Sequence, residues 1–360
     1  MAMRRITTSW PILVRSSSEN DLVPAPDTPS LASEPAVRDQ EGLPRFMELS
    51  LRSDETLPEG LRRVVFGQLD VAAGALHPRQ RDFDAGVHEA RKAFKRIRAV
   101  LRLARGELGP SIFQAENACF RGAGRMLAAA RDGFVLRLTL ADLAGAAREP
   151  GATAYLSSLA QRPRAGADAA ELWQDDVISG LRDPLGEARV RVNEWPLEHD
   201  SFAAISPGLK RTYHKGRKWM PRAFESGDEK AYHAWRRRVK DLWYQLQLLE
   251  PVRPARIGPL VSDLDALGDA LGTDHDLAMA RQSVIGDGQY QADADRVEAL
   301  RLIDERSADL RDRSRALGVT IYRSDPDAFV ARIESYWRSG RFESDQGNGE
   351  PEPDLIEVRG

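Results

Sequence analysis

A basic motif with helical spacing occurs twice in the chain, and the two copies lie 145 positions apart. In each copy a His is followed by Arg at i+3, a second base at i+4 and Lys at i+7. The first stripe is His88, Arg91, Lys92 and Lys95, and the second stripe is His233, Arg236, Arg237 and Lys240. This spacing places four basic heads on one face of a helix. Like charges stacked in this way repel by about 0.3 kcal/mol per pair, so each stripe favours an anion opposite it.

A second pair of segments shows a weaker similarity at nearly the same offset. Gly124–Asp132 (GRMLAAARD) aligns with Gly268–Asp276 (GDALGTDHD), 144 positions later. Two motifs that share one offset indicate an internal duplication. The sequence therefore predicts half-repeats at about 56–200 and 201–341. Each half would hold a basic-stripe helix, followed by a small-residue helix that ends in a basic residue and Asp.

Charge is segregated along the chain. The total of 52 Lys and Arg against 55 Asp and Glu gives a net charge of only −3. Yet His88–Arg105 holds seven Arg or Lys and one Glu, and Lys210–Arg222 holds six bases and no acid. A near-neutral protein with concentrated basic segments binds anions through its local field rather than its total charge.

Other basic residues join the candidate binding set because they extend the same pattern. Arg121 and Arg125 lie one helical turn apart, and Lys210 and His214 share a face of their predicted helix. The candidates outside the two stripes are Arg96, Arg98, Arg121, Arg125, Arg131, Lys210, Arg211, His214, Arg217 and Lys218. A solvated helix face explains Arg121 and Arg125 equally well, with Glu116 or Asp132 as ion-pair partner.

The chain divides into three stretches. Residues 1–55 are rich in Ser, Pro, Ala and Asp without periodicity, which predicts a flexible N-terminal arm. The helical domain is expected at 56–341, where Thr56, Pro58 and Glu59 supply an N-cap, a first-turn proline and a capping box. Residues 342–360 are expected to form a disordered acidic tail.

Helical periodicity dominates the middle stretch. Apolar residues such as Phe94, Ile97 and Leu101 recur at intervals of three, four or seven and predict a buried face beside the basic one. Helix ends are expected at several prolines, Pro184 and Pro221 among them. Strand alternation is scarce. The sequence therefore predicts an all-α fold of about ten to twelve helices.

Several functional classes lack their usual signals. The single Cys119 fits a reducing compartment, and no apolar stretch reaches the length of a membrane span, so we expect a cytoplasmic protein without membrane contact. The chain contains no HExxH, GxxxxGK[ST] or G-x-S-x-G motif. We therefore expect no bound metal, no cofactor and no enzymatic activity.

The duplicated motif, with Arg131-Asp132 and His275-Asp276 after its two copies, resembles the CHAD family, the conserved-histidine α-helical domain. The resemblance covers roughly residues 58–341. It implies two four-helix bundles related by a pseudo-twofold axis, around a basic cavity that binds inorganic polyphosphate. It also implies association with polyphosphate granules. A stand-alone member is expected, because no Glu-x-Glu-x-Lys run typical of a triphosphate-hydrolysing CYTH domain lies near the start.

The histidines that lead the stripes have two interpretations. His88 and His233 could each gain a proton when phosphate oxygens arrive, since the reference pKa is about 6.5. In that case polyphosphate affinity would rise as pH falls from about 8 to about 6. Alternatively, each neutral imidazole caps or hydrogen-bonds a neighbouring helix. A zinc role is disfavoured by the surrounding cations.

Two other functions stay open at this point. A general polyanion or nucleic-acid binder would use the same helices, but exposed aromatic residues would normally accompany them, and Trp219 and Trp235 are expected to anchor the core. A metal-dependent phosphate-processing enzyme is less favoured because it needs several acids close together. Asp132 and Asp276 are instead expected to orient basic side chains or cap a helix.

Overall fold

The computed structural model of the chain describes residues 49–77, 82–162, 170–288 and 293–346. Within these ranges all regular structure is helical, with eleven α-helices and a 3₁₀ turn at Glu250–Val252. The first six helices are α1 (Leu57–Ala75), α2 (Phe83–Leu103), α3 (Arg105–Met126), α4 (Ala128–Ala146), α5 (Pro150–Gln161) and α6 (Ala170–Asn193). The other five are α7 (Phe202–Ser226), α8 (Glu229–Leu249), α9 (Pro254–Ile285), α10 (Asp293–Ile321) and α11 (Pro326–Gln346). The predicted all-α fold is confirmed.

The predicted capping box opens α1. The Thr56 hydroxyl accepts from the Glu59 amide at 3.4 Å, and the Glu59 carboxylate accepts from the Thr56 amide at 2.9 Å. Packing begins a few residues earlier than the expected boundary at residue 56, because Leu51 is buried and its amide donates to the Leu248 carbonyl at 3.0 Å. At the other end, α11 continues to Gln346, beyond the boundary expected at residue 341.

Two prolines expected to end helices lie inside them. Pro184 is within α6 and Pro221 is within α7, so these predicted helix ends are wrong. An interior proline costs about 3 kcal/mol. Burial on both sides of each proline offsets this cost. α6 buries Leu181 before Pro184 and Val192 after it. α7 buries Tyr213 before Pro221 and Ala223 after it.

Helix packing repeats along the chain. The starts of α1 and α7 are 145 positions apart, and those of α2 and α8 are 146 apart. α1 packs on α2 and α6, and α7 packs on α8 and α11 as well as on α2 and α3. The half-repeats at about 56–200 and 201–341 stay a prediction. Two four-helix bundles related by a pseudo-twofold axis remain a prediction.

The two stripe helices pack against each other. The Gln245 amide on α8 donates to the Ala99 carbonyl on α2 at 3.1 Å. Beside this crossing lies a large apolar core shared by both halves, in which Phe94 and Trp235 are at most 1% exposed. A smaller core joins α4 and α5 to α9 and α10. The apolar faces of α2 and α8 are thus fixed, which leaves their basic faces at the boundary of the packed structure.

Candidate functional site

The second stripe lies along a row of glycines on α9. A Cβ atom added to Gly268 would lie 2.6 Å from Cε of Lys240, and one added to Gly272 would lie 3.4 Å from Nη2 of Arg236. Both pairs are spaced by four residues, so each long side chain crosses α9 where no side chain obstructs it. The segment Gly268–Asp276, noticed in the sequence as part of the weaker similarity, is therefore the surface on which the second stripe rests.

Lys240 is largely neutralised by carboxylates on α9. Its ammonium lies 3.1 Å from Asp269 and 3.4 Å from Asp265, and 4.1 Å from the ring centroid of Trp243. Burial raises the pKa of Asp265, although the positive charges of Lys240 and Lys92 oppose the change. The second stripe thus carries less uncompensated charge than its sequence predicts.

The stripe histidine of α8 contacts a histidine of α9. The ring centroids of His233 and His275 are 4.6 Å apart, and the buried Nδ1 of His233 has no hydrogen-bond partner. Burial lowers the pKa of His233 to about 4, and the positive charges of four neighbours add to this effect: His275, Arg237, Arg236 and Lys95. In the ligand-free protein, burial and these charges therefore favour the neutral imidazole of His233. Its protonation when phosphate oxygens arrive stays a prediction.

The first stripe has partners of its own. Arg91 lies 3.6 Å from the Asp132 carboxylate, which fits the orienting role expected of this acid. Lys92 lies 3.3 Å from Glu89, one turn earlier on α2. His88 is partly buried, whereas Lys95 is exposed and close enough to affect the pKa of His233. The two stripes therefore meet in one electrostatic environment.

A dense group of cations, the arginine cluster, surrounds a single buried carboxylate. The Asp241 carboxylate lies 3.2 Å from Arg102 and 3.0 Å from Arg238. Burial lowers the pKa of Arg98 to about 10, and the charges of Arg102 and Arg121 contribute. The members of the cluster are Arg98, Arg102, Arg105, Arg121, Arg211, Lys215, Arg237 and Arg238, which interact electrostatically with one another or with Asp241.

A cavity of 510 Å³, the anion cavity, opens between α7 and α8 beside this cluster. Its walls are His214, Lys215, Lys218, Trp219, Arg222, Ala234, Arg237 and Arg238. Five of these eight residues are Lys or Arg and none is acidic. Burial lowers the pKa of Lys215, and the nearby arginines Arg238, Arg211, Arg105 and Arg102 lower it further. The cavity can therefore hold an anion with several negative charges.

Arg237 connects the second stripe to the anion cavity. It lines the cavity, and its charge also acts on His233 and on Arg102. Arg237 of the second stripe thus belongs to one basic region with His214, Lys218 and Arg211 of the Lys210–Arg222 segment. The positive potential of this region extends from the wall of the anion cavity to the second stripe.

Several predicted residues lie outside the anion cavity. Lys210 is paired with Asp327 on α11, and Arg217 donates to the Tyr322 carbonyl at 3.3 Å. Arg96 donates to the Gln68 side chain at 3.2 Å. Arg125 is an exposed residue of α3, while the side chain of Arg131, on α4, is outside the described part of the structure.

One expected ion pair is replaced by another. Glu116, considered as a partner for Arg121 or Arg125, instead accepts from Arg191 on α6 at 2.7 Å and is 3% exposed. Arg121 is exposed, and its charge acts on Arg98. The structure therefore links Arg121 to the arginine cluster rather than to an acid on its own helix.

Six charged residues of the region are not among the candidates from the sequence: Arg102, Arg105, Lys215, Arg222, Arg238 and Asp241. Helical spacing could have found three of them. Arg102, Lys215 and Arg222 each follow a predicted residue by one turn. The sequence gives no indication that Asp241 is buried, because an acid next to a basic stripe usually forms a solvated ion pair.

The described ranges show neither a metal cluster nor a membrane span. Among their His, Cys, Asp and Glu side chains, no group of three or more is placed to hold a metal ion. No helix in these same ranges is both long and apolar enough to cross a bilayer.

Comparison with known proteins supports the fold. The family model described as "CHAD domain" matches residues 65–284. The crystal structure of the CHAD domain from the plant Ricinus communis superposes with a TM-score of 0.55 at 20% sequence identity. The match covers 76% of this chain and 95% of the plant domain. No curated protein matches the chain at a significant level.

Proposed function

The chain belongs to the CHAD domain family, and from this premise we propose that it binds inorganic polyphosphate in the anion cavity and across the adjoining arginine cluster. The observation that carries the proposal is the cavity wall, with five Lys or Arg and no acid. Polyphosphate bears about one negative charge per phosphate and needs a row of fixed cations with little competing acid.

The electrostatics of the ligand-free site support this proposal. Neighbouring positive charges lower the pKa values of both Arg98 and Lys215, beyond the effect of burial. Such lowering means that the cations destabilise one another while no anion is present. Asp241 supplies one carboxylate against many cations, so phosphate oxygens would relieve repulsion that the protein leaves uncompensated.

The residue types suit the oxygens of a phosphate chain. Arg237 and Arg238 offer planar donor forks that can bind two oxygens at once, while Lys215 and Lys218 act as compact point charges. Arg237 is itself a member of the second stripe, and its charge acts on His233 of that stripe. A long chain would therefore extend from the cavity towards Lys95 and Arg236, which a single orthophosphate cannot do.

The proposal predicts tight binding that depends on salt. Long-chain polyphosphate is titrated into the full chain at two salt concentrations, with single-stranded DNA of equal charge as competitor. We expect binding to weaken steeply with salt and DNA to displace the polyphosphate poorly. Equal affinity for both polymers would reduce the protein to a general polyanion binder, and no binding of polyphosphate would refute the proposal.

The proposal assigns binding without a catalytic step. Incubation of the protein with polyphosphate and Mg²⁺ should release no orthophosphate above the rate of a buffer control. Sustained release would favour a phosphate-processing enzyme instead. In cells, we propose that the protein is cytoplasmic and associates with polyphosphate granules, which co-localisation with a granule stain would test.

A further inference from the structure

A second cavity, of 470 Å³, lies against α7 on the other side of His214 and Lys218. It shares His214 and Lys218 with the anion cavity and is closed by the end of α10 and the residues that follow. Its walls are His214, Arg217, Lys218, Met220, Pro221, Val319, Tyr322 and Arg323. The two cavities therefore meet at His214 and Lys218, which are one helical turn apart.

The wall of the second cavity combines two chemistries. Four of its eight residues are basic, and basic residues also line the anion cavity. The other four, Met220, Pro221, Val319 and Tyr322, are apolar or aromatic. Val319 is 57% exposed, so its aliphatic side chain is accessible to a ligand in the cavity. Inorganic polyphosphate has no apolar part, so its binding leaves this half of the wall unexplained.

The aromatic part of the wall is held firmly in place. Tyr322 is 3% exposed, and its hydroxyl lies where a Cβ atom on Gly216 would be, at 2.3 Å. Its ring packs against the ring of Tyr213, with centroids 5.2 Å apart. This close packing against α7 leaves Tyr322 little freedom to move. The cavity is therefore preformed, as small-molecule sites usually are, and its volume is within their usual range of about 300–1,000 Å³.

We propose that the second cavity receives the base and ribose of a nucleoside polyphosphate whose phosphate chain crosses His214 and Lys218 into the anion cavity. This inference rests on the proposed function, because it uses the same anion cavity for the phosphates. The base contacts Met220 and Val319, and His214 and Lys218 bind the first phosphates. The aromatic residue of the anion cavity is less suited to the base, because the Arg222 guanidinium covers the Trp219 ring, 5.4 Å from its centroid.

Comparing ATP with tripolyphosphate separates this inference from the proposed function. Tripolyphosphate carries at least as much charge as ATP, so electrostatics alone predicts that it binds at least as tightly. We measure both affinities by calorimetry without divalent cations, using the full chain. Contacts between the base and the apolar wall should make ATP about tenfold tighter than tripolyphosphate, corresponding to about 1.4 kcal/mol.

A matched pair of variants assigns the effect to this cavity. Val319→Asn places a polar group in the wall, while Val297→Asn alters another exposed valine of α10 that is 64% exposed and does not line the cavity. We expect Val319→Asn to remove the preference for ATP and leave tripolyphosphate binding unchanged. Val297→Asn should keep both affinities.

Each contrary outcome has a distinct meaning. Equal binding of ATP and tripolyphosphate by the unaltered protein would overturn the inference and leave the proposed function standing. A preference for ATP that survives Val319→Asn would overturn the assignment of the base to this cavity. Failure of tripolyphosphate and long-chain polyphosphate to bind at all would refute the proposed function and, with it, this inference.

Discussion

The carboxylate of Asp241 on α8 lies 3.2 Å from the guanidinium of Arg102 on α2. This contact joins the two stripe helices at the point where basic side chains are most concentrated. Asp241 also lies 3.0 Å from Arg238, and its side chain is 12% exposed. One acid thus holds two arginines from different helices beside the anion cavity, and it leaves most of the local positive charge uncompensated.

Replacing Asp241 by Asn should destabilise the free protein and strengthen its response to polyphosphate. Breaking a buried pair by removing one partner costs about 3 kcal/mol, because Arg102 would stay buried without its counter-ion. A bound polyanion supplies that missing charge. We therefore expect Asp241→Asn to lower Tm, and to gain more in Tm than the unaltered protein when polyphosphate is added.

The control for this experiment is Asp70→Asn. Asp70 pairs with Arg189, but both side chains are more than half exposed. Such a pair is worth at most about 1 kcal/mol. Its loss should change Tm little and leave the polyphosphate response as it was. An equal response in Asp241→Asn and Asp70→Asn would argue against phosphate near the arginine cluster.

Gly208 is required where α7 crosses the end of α2. A Cβ atom at this position would lie 2.0 Å from the Leu103 carbonyl oxygen and 2.6 Å from the Arg102 carbonyl oxygen. Backbone atoms cannot move aside as a flexible side chain can. Gly208→Ala should therefore destabilise the fold by about 1–3 kcal/mol, the usual cost of overpacking, as measured by denaturant unfolding.

Gly67 provides the opposite case. It lies within α1, and an added Cβ atom would have no neighbour within 4 Å. Alanine is preferred over glycine in a helix by about 1 kcal/mol, so Gly67→Ala should be neutral or stabilising. If both substitutions have the same effect on unfolding, the close approach of α7 to α2 is not as described.

The sequence predicted the helical class and the two stripes, because both follow from spacing along one helix. It could not predict that Lys240 is paired with Asp265 and Asp269, since that contact depends on the register of α8 on α9. A clue to this register was present. Gly268 and Gly272 are spaced like Arg236 and Lys240, and long side chains crossing a helix need small residues beneath them.

The charge state of the histidines could not be predicted either. His233 heads a basic stripe, so its sequence context suggested a proton shared with phosphate. Its contact with the His275 ring and its burial depend on contacts between helices that the stripe does not encode. Similarly, Glu116 was one of two acids considered as an ion-pair partner for Arg121 or Arg125, but it faces Arg191 on α6.

Removing His233 should reduce acid sensitivity. The pKa of His233 is lowered to about 4 in the folded protein, mainly by burial, against about 6.5 in the unfolded chain. The unfolded chain therefore binds this proton first, so stability falls as pH drops from about 6.5 to about 4. We expect His233→Gln to lose less unfolding free energy than the unaltered protein over this window, as measured by urea denaturation.

His199 serves as a control of opposite sign. Its hydrogen bond to Glu107, at 2.9 Å, raises the pKa of His199. Its contribution to stability is therefore present below the unfolded pKa and is lost as pH rises through the folded value. His199→Gln should therefore lower the free energy of unfolding at pH values below the folded pKa of His199 and leave it unchanged at higher pH. If both variants change the pH dependence of the unfolding free energy in the same direction, the His233 imidazole is not held neutral by burial in the folded protein.

Lys240 and Arg237 should differ in their effect on salt dependence. Both belong to the second stripe, but two carboxylates already neutralise Lys240, whereas Arg237 lines the anion cavity. Each cation that neutralises a phosphate contributes about 0.7 to the slope of log K against log salt, by analogy with single-stranded nucleic acid. Arg237→Gln should reduce the slope by about that amount, and Lys240→Gln by clearly less. Equal reductions would mean that the carboxylates release Lys240 on binding.

The most direct measurement is the affinity for long-chain polyphosphate of a double variant of the anion cavity, Lys218→Gln with Arg237→Gln. The matched control is Lys230→Gln with Arg256→Gln, which removes two exposed cations that lie outside the cavity wall. Equal Tm values for the two variants would establish that both are folded. We expect a loss of affinity of at least about tenfold for the cavity variant and little change for the control. Equal affinities for the two variants would contradict the assignment of polyphosphate to this cavity.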